Sequence, residues 1–215
     1  MNLAWYMHFI QASSWQQNLN KEVIKMSEQN IAVKQTIVNG VNVDYVNDAV
    51  KMFEDNKELA DFKFRVTNKW INGGHCQTTV QDFYGVNQEN QHATKVKMDA
   101  DEPPILAGTD LGANPVEHLL NALATCLTTT LIYHAAIRGI QIDELESELE
   151  GDIDLRGFLG ISNDVRRGYE NIRVKFKVKT DDDGNIERLK ALSKLSPVYD
   201  VTSNGTNVDV LIERK

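Results

Sequence analysis

Two cysteines, Cys76 and Cys126, are the side chains of this 215-residue chain best suited to covalent chemistry. A cysteine attacks, or is oxidised, as its thiolate, and a reactive one is activated by a cation or a helix N-terminus. Cys126 lies in an apolar run twelve residues beyond Asn114. The field of a helix end fades within its first turn, so it does little at that depth. If Cys126 reacts, a cation from another element is expected to activate it; the other reading is an inert cysteine buried among leucines. His75 is a candidate donor whose charge would depend on pH near neutrality. Arg65 and Lys69, just upstream, are other possible cations. Cys76 adjoins His75, but strand alternation points the two to opposite faces. A half-buried strand cysteine is therefore the favoured reading of Cys76 over a second reacting thiol.

Glu117 follows Asn114 by three residues, which suits a capping box, and that role is sufficient to explain it. His118 sits eight residues before Cys126, roughly 12 Å along a helix axis and too far for direct pairing. Thr129 and Thr130 could donate weakly to a thiolate, although such threonines more often bond their own helix backbone. Two thiols are too few for a disulfide scaffold or a cysteine-built zinc site, and the five histidines form no HExxH-like pair, so neither a metal nor a cofactor is expected. Ser196 has no GxSxG turn around it. Asp181-Asp182-Asp183-Gly184 reads as a solvated turn, because it lacks the rest of a calcium loop.

The elements that must position these groups alternate between strand and helix patterns. Thr36-Ile37-Val38 and Val41-Asn42-Val43, around Asn39-Gly40, predict a hairpin. Asp48 is read as the cap of a short helix through Leu59. Strands are expected over Phe62–Trp70, His75–Phe83 and Thr94–Met98, with a turn at Asn72-Gly73-Gly74. The clearest element is a helix capped by Asn114, with Pro115 at its first position, running to Arg138 and stopped by Gly139. Its leucines cover most of its circumference, which predicts burial on several sides. Strands over Leu145–Leu155 and Gly168–Thr180, a helix over Ile186–Leu195 and a last strand at Val208–Ile212 complete an α+β pattern.

The formal charge of −8 makes nucleic acid a poor partner. No stretch approaches the 18 apolar residues of a membrane span, and Met1–Ile10 lacks the basic start of a signal peptide. A cytoplasmic location, where thiols stay reduced, is expected. Met26 leaves open whether the preceding segment is an extension or an upstream start.

Residues 108–126, GTDLGANPVEHLLNALATC, resemble the OsmC/Ohr signature of a Gly-rich loop, Asn-Pro, a glutamate and an apolar helix bearing a cysteine. Gly139-Ile140, two long strands, a helix and a Ser-Pro-Val step come next, in the family's order. The resemblance covers about residues 62–215, leaving 1–61 as an N-terminal extension. It implies an intertwined homodimer with curved antiparallel sheets around two central helices. It also implies reduction of organic hydroperoxides by a helix cysteine, resolution by a second cysteine and regeneration by a dithiol. Three positions depart from that pattern. Ser196 stands where the family commonly has its resolving cysteine, Val116 stands where the Ohr branch has glutamate (with Glu117 one residue on), and His75 stands at the place of the Ohr arginine.

Cys126, Glu117 and His75 are therefore the candidate catalytic residues of a single-cysteine, thiol-dependent peroxidase that needs an external thiol reductant, Cys76 being the internal alternative. The other reading is an OsmC-like protein that binds a small hydrophobic ligand and keeps Cys126 as a sensor or a core residue.

Overall fold

The structure, a computed structural model, describes residues 35–215. Met1–Ile10 and Met26 lie outside the described residues.

The expected hairpin forms from β1 (Ile37–Val38) and β2 (Val41–Asn42). Asn39 and Gly40 both take positive φ, 52° and 76°, the backbone of a type I′ turn. Helix α1 (Val43–Asp55) starts earlier than expected, because Asn42 rather than Asp48 caps it, accepting from Tyr45 N–H. Either residue type can cap; the hairpin's end decides, since Asn42 is the last extended residue there. The chain then turns through a short 3-10 segment, Lys57–Ala60.

Strands β3 (Val66–Asn72), β4 (His75–Val80) and β7 (Lys97–Ala100) form an antiparallel sheet in the order β3-β4-β7. The strand expected to reach Phe83 stops at Val80. Phe83 begins β5 (Phe83–Gly85), which pairs with β6 (Gln88–Asn90) in a small hairpin turned by Val86 and Asn87. Likewise β3 starts four residues after Phe62, and β7 is displaced towards the Asp101 loop.

Helix α2 (Pro115–Ala136) carries the full capping box. Asn114 Oδ1 accepts from Glu117 N–H, and Glu117 Oε2 accepts from Asn114 N–H, each at 2.9 Å. Its end is closed by Gly139, φ 67°, with Gly139 N–H to Ala136 O and Ile140 N–H to Ala135 O, both at 3.0 Å. By length and composition α2 is apolar enough to cross a membrane, contrary to the sequence expectation. Here it is a core helix. Leu131 and Ala135 pack with Ile140, Ile142, Leu189 and Leu192, flanked by Leu145, Phe176 and Val178. Val41 and Val43 pack on Ala136, and Asn39 bonds Ile140 O and Ile142 N–H, which ties the first hairpin to the end of α2.

Strands β8 (Ile142–Asp152) and β9 (Asn171–Thr180) form a long antiparallel ribbon. One face turns Leu145, Phe176 and Val178 to the core. The other pairs acids of β8 with bases of β9: Arg173 with Glu150 and Asp152, Lys177 with Glu148, and Lys179 with Glu144. The connection between the strands contains α3 (Leu155–Phe158), where β8 was expected to continue. Asp154 accepts from Arg156 N–H and ends the extended run.

Helices α4 (Gly184–Leu192) and α5 (Pro197–Asn204) come next, joined by a 3-10 turn at Ser193–Leu195. The last strand expected, Val208–Ile212, is not formed. Among the described residues they pair with no strand, and Val208, Val210, Leu211 and Ile212 are each at least 76% exposed. The architecture is a mixed α+β fold of small antiparallel sheets and several helices.

Candidate functional site around Cys126

Cys126 sits midway along α2, half-buried, on a face covered by the turn into α5. That turn is built from its sequence. Leu192 and Leu189 bury against α2, the chain tightens through Ser193–Leu195, and Pro197 begins a new helix at its first position. Ser196 is left as the N-cap of α5, 1% exposed. Its Oγ accepts from Tyr199 N–H at 3.2 Å and donates to Cys126 Sγ at 3.1 Å. Among the described residues this is the one side-chain hydrogen bond to the Cys126 sulfur, and no cation bonds to it.

An apolar cleft of about 500 Å³ lies between α2, β9 and α4, lined by Leu127, Leu131, Val174, Phe176, Ile186 and Tyr199, among others; neither Cys126 nor Ser196 lines it. Lys190 and Ser193 also border it. Leu127 adjoins Cys126 in the chain, and Tyr199 is the residue whose amide holds Ser196. The cleft is of a size and polarity to take an apolar ligand.

The other expected site residues are held elsewhere in the chain. Glu117 is exposed in the first turn of α2, engaged in the capping box. It is nine residues from Cys126, roughly 13 Å along the helix and on the opposite face. His75 Nε2 bonds Asp99 Oδ1 at 2.9 Å, and Gln77 Nε2 donates to the same oxygen at 3.2 Å. These hydrogen bonds, His75 first, hold the Asp99 carboxyl below its ordinary range. His118 Nε2 lies 3.2 Å from Asp99 O, so His75 is gathered at the N-terminal end of α2. Arg65 forms a paired contact with Glu89. Cys76 Sγ accepts from Asn68 Nδ2 at 3.3 Å on the outer hairpin. Thr129 returns its hydroxyl to Thr125 O. Among the described residues no cluster of three or more His, Cys, Asp or Glu side chains could hold a metal.

Sequence reasoning missed Asp101, which organises the loop leading into α2. It is 1% exposed. Its carboxylate accepts from Glu102 N–H, Thr109 N–H, Thr109 Oγ1 and Leu111 N–H. The Thr109 hydroxyl first, and then the three amides, hold its pKa down to about 2. The signal available was the Asp-Glu-Pro-Pro break, read only as an interruption of a strand. Tyr169 was missed too; its OH donates to Val116 O at 3.0 Å, and burial, then the charge of Glu117, pushes its phenol upward.

The family model described as OsmC-like protein matches residues 108–211. Among solved structures, an OsmC-like protein from Mycoplasma pneumoniae matches with a TM-score of 0.51 at 17% identity, covering 66% of this chain and 88% of that one. An organic hydroperoxide resistance protein OsmC from Legionella pneumophila matches at 0.47 and 15%, covering 66% and 90%. An OsmC-like protein of unknown function from Vibrio cholerae matches at 0.48 and 10%, covering 64% and 92%. No curated protein matches the sequence. The matched span contains α2, the β8–β9 ribbon and the Ser196 turn, so the part of the chain that holds Cys126 carries an OsmC-like domain.

Proposed function

We propose that this OsmC-like protein has a redox role in stress defence, as a thiol-dependent peroxidase that reduces organic or small hydroperoxides at Cys126. The observation that carries the reading is the Cys126–Ser196 contact, in which a buried hydroxyl donates to the sulfur. The Ser196 hydroxyl, already turned to the sulfur, can stabilise negative charge developing there. The thiolate attacks one peroxide oxygen, the O–O bond breaks, and the alkoxide leaves and takes up a proton as the alcohol. Cys126 becomes a sulfenic acid. An external thiol condenses with it, releasing water and leaving a mixed disulfide. A second thiol restores Cys126 and departs as the disulfide of the reductant. This cycle suits a reducing, cytoplasmic setting.

Glu117 and His75 enter the proposal at one remove, since each has another partner within the protomer. They would meet Cys126 only across an interface between two copies. A homodimer is supported by what one chain leaves uncovered: all of β3, with Trp70 67% exposed, and the apolar tail from Val208.

The test is reaction of the purified chain with cumene hydroperoxide, with Cys126 then read by mass spectrometry. Rapid, stoichiometric oxidation that thiol reverses, and that is lost in Cys126→Ser, is the expected result. A thiol that stays reduced in excess peroxide would sink the peroxidase. The cleft would then favour the second reading, a small hydrophobic ligand held there with Cys126 inert or sensing.

A further inference from the structure

We propose that Ser196 is a positioning residue of the Cys126 site, a fixed hydroxyl donor that activates the thiol and leaves its oxidised form for an outside thiol to resolve. The inference rests on the reading of Cys126 as the reacting group.

Every polar group of Ser196 is accounted for. Its N–H donates to Ser193 O at 3.2 Å, and its carbonyl accepts from Asp200 N–H at 3.0 Å. The hydroxyl oxygen accepts from Tyr199 N–H at 3.2 Å, which leaves the hydroxyl proton for the sulfur at 3.1 Å. Pro197 fixes the next φ, and the side chain is almost wholly buried. The donor is thus set before any substrate arrives. A preset donor acts on charge that develops at the sulfur without having to reorient.

The same geometry restricts the fate of the oxidised sulfur. A hydroxyl can donate to a thiolate or to a sulfenate oxygen, but it cannot condense with a sulfenic acid to give a disulfide. The sulfenic acid at Cys126 therefore lasts until an external thiol enters. With a thiol in place of the hydroxyl, the sulfenic acid would condense internally, losing water and forming an S–S bond across the α2–α5 contact.

The test uses the full chain, with iodoacetamide as the probe of Cys126 across a range of pH. Ser196→Ala should slow alkylation near neutral pH roughly three- to tenfold, the loss of one hydrogen bond to a charged acceptor, and move the pH–rate profile upward. Ser196→Thr, which keeps both the cap and the hydroxyl, should restore the parent profile, and Ser196→Gly, which loses the donor at little cost to the α5 cap, should repeat the alanine result. S196C treated with cumene hydroperoxide should lose its new thiol together with that of Cys126 in an intramolecular disulfide. Superimposable profiles for the parent and Ser196→Ala overturn the donor role. Both thiols of S196C persisting while parent Cys126 is oxidised overturn the assigned geometry. An altered alkylation profile without peroxide consumption by any variant upholds Ser196 and sinks only the peroxidase.

Discussion

Asp101 shows how one residue can hold a loop by charge. Four donors converge on its carboxylate, and none of the other side chains in the loop binds them. Its pKa is depressed from 3.8 to about 2, so the stabilisation is present above the unfolded value and is lost as pH falls from about 4 through about 2. Thermal melting should show this as a drop in Tm across that window, smaller in Asp101→Asn, which should already melt lower at neutral pH. The asparagine amide would turn its own N–H groups towards some of the Thr109 and Leu111 donors. Equal slopes for the two proteins would exclude Asp101 as the cause. Glu117 poses a different question, because its capping role is visible and any chemical one is not. Glu117→Gln keeps the capping box. An unchanged Tm with a fall in peroxide turnover would give Glu117 a second role, and unchanged turnover would leave it a cap.

At the scale of elements, the sequence disclosed what is local. The α2 start was legible because Asn114, Pro115 and Glu117 act on one another within a single turn. Gly139 marked the end for the same reason. Asn114→Ala should cost about 1 kcal/mol in urea unfolding, from the lost cap; no change would mean that the Glu117 half of the box suffices. What was not legible depended on distant partners. Asn42 and Asp48 are equally good caps in isolation, and only the docking of β1 and β2 against α2 favours the first. Val208–Ile212 has the alternation of a strand, but a strand needs a neighbour, and the described residues supply none there. The meeting of Cys126 with Ser196 spans 70 residues; no spacing rule reaches that far, and only the family resemblance set the two positions side by side.

For the whole molecule, the uncovered surface is informative. Tyr133 on α2, Trp70 on β3 and the tail from Val208 to Ile212 all present large apolar groups to solvent. The proposed homodimer predicts that a second copy covers some of them, and that sedimentation velocity of the full chain shows a dimer. Removing residues 206–215 should shift that equilibrium towards the monomer if the tail contributes to the contact. A parent chain that sediments as a monomer at all concentrations would refute the homodimer, and with it any part for Glu117 and His75 at Cys126.

The acid–base face of the β8–β9 ribbon has an ambiguity of its own. Its rungs are nearly alike, with Glu144, Glu146, Glu148 and Glu150 facing Lys179, Lys177, Lys175 and Arg173. Sliding one strand by two residues would again set acid against base, so these charges favour pairing without selecting an alignment. A notch makes the selection. Tyr169 crosses β8 where Gly151 has no side chain, since a Cβ there would come within 2.5 Å of the ring, and its hydroxyl then latches to Val116 at the start of α2. A ladder of interchangeable rungs is thus keyed by one missing methyl group, and Gly151→Ala should loosen the seating of the ribbon on the helix while leaving every ion pair available.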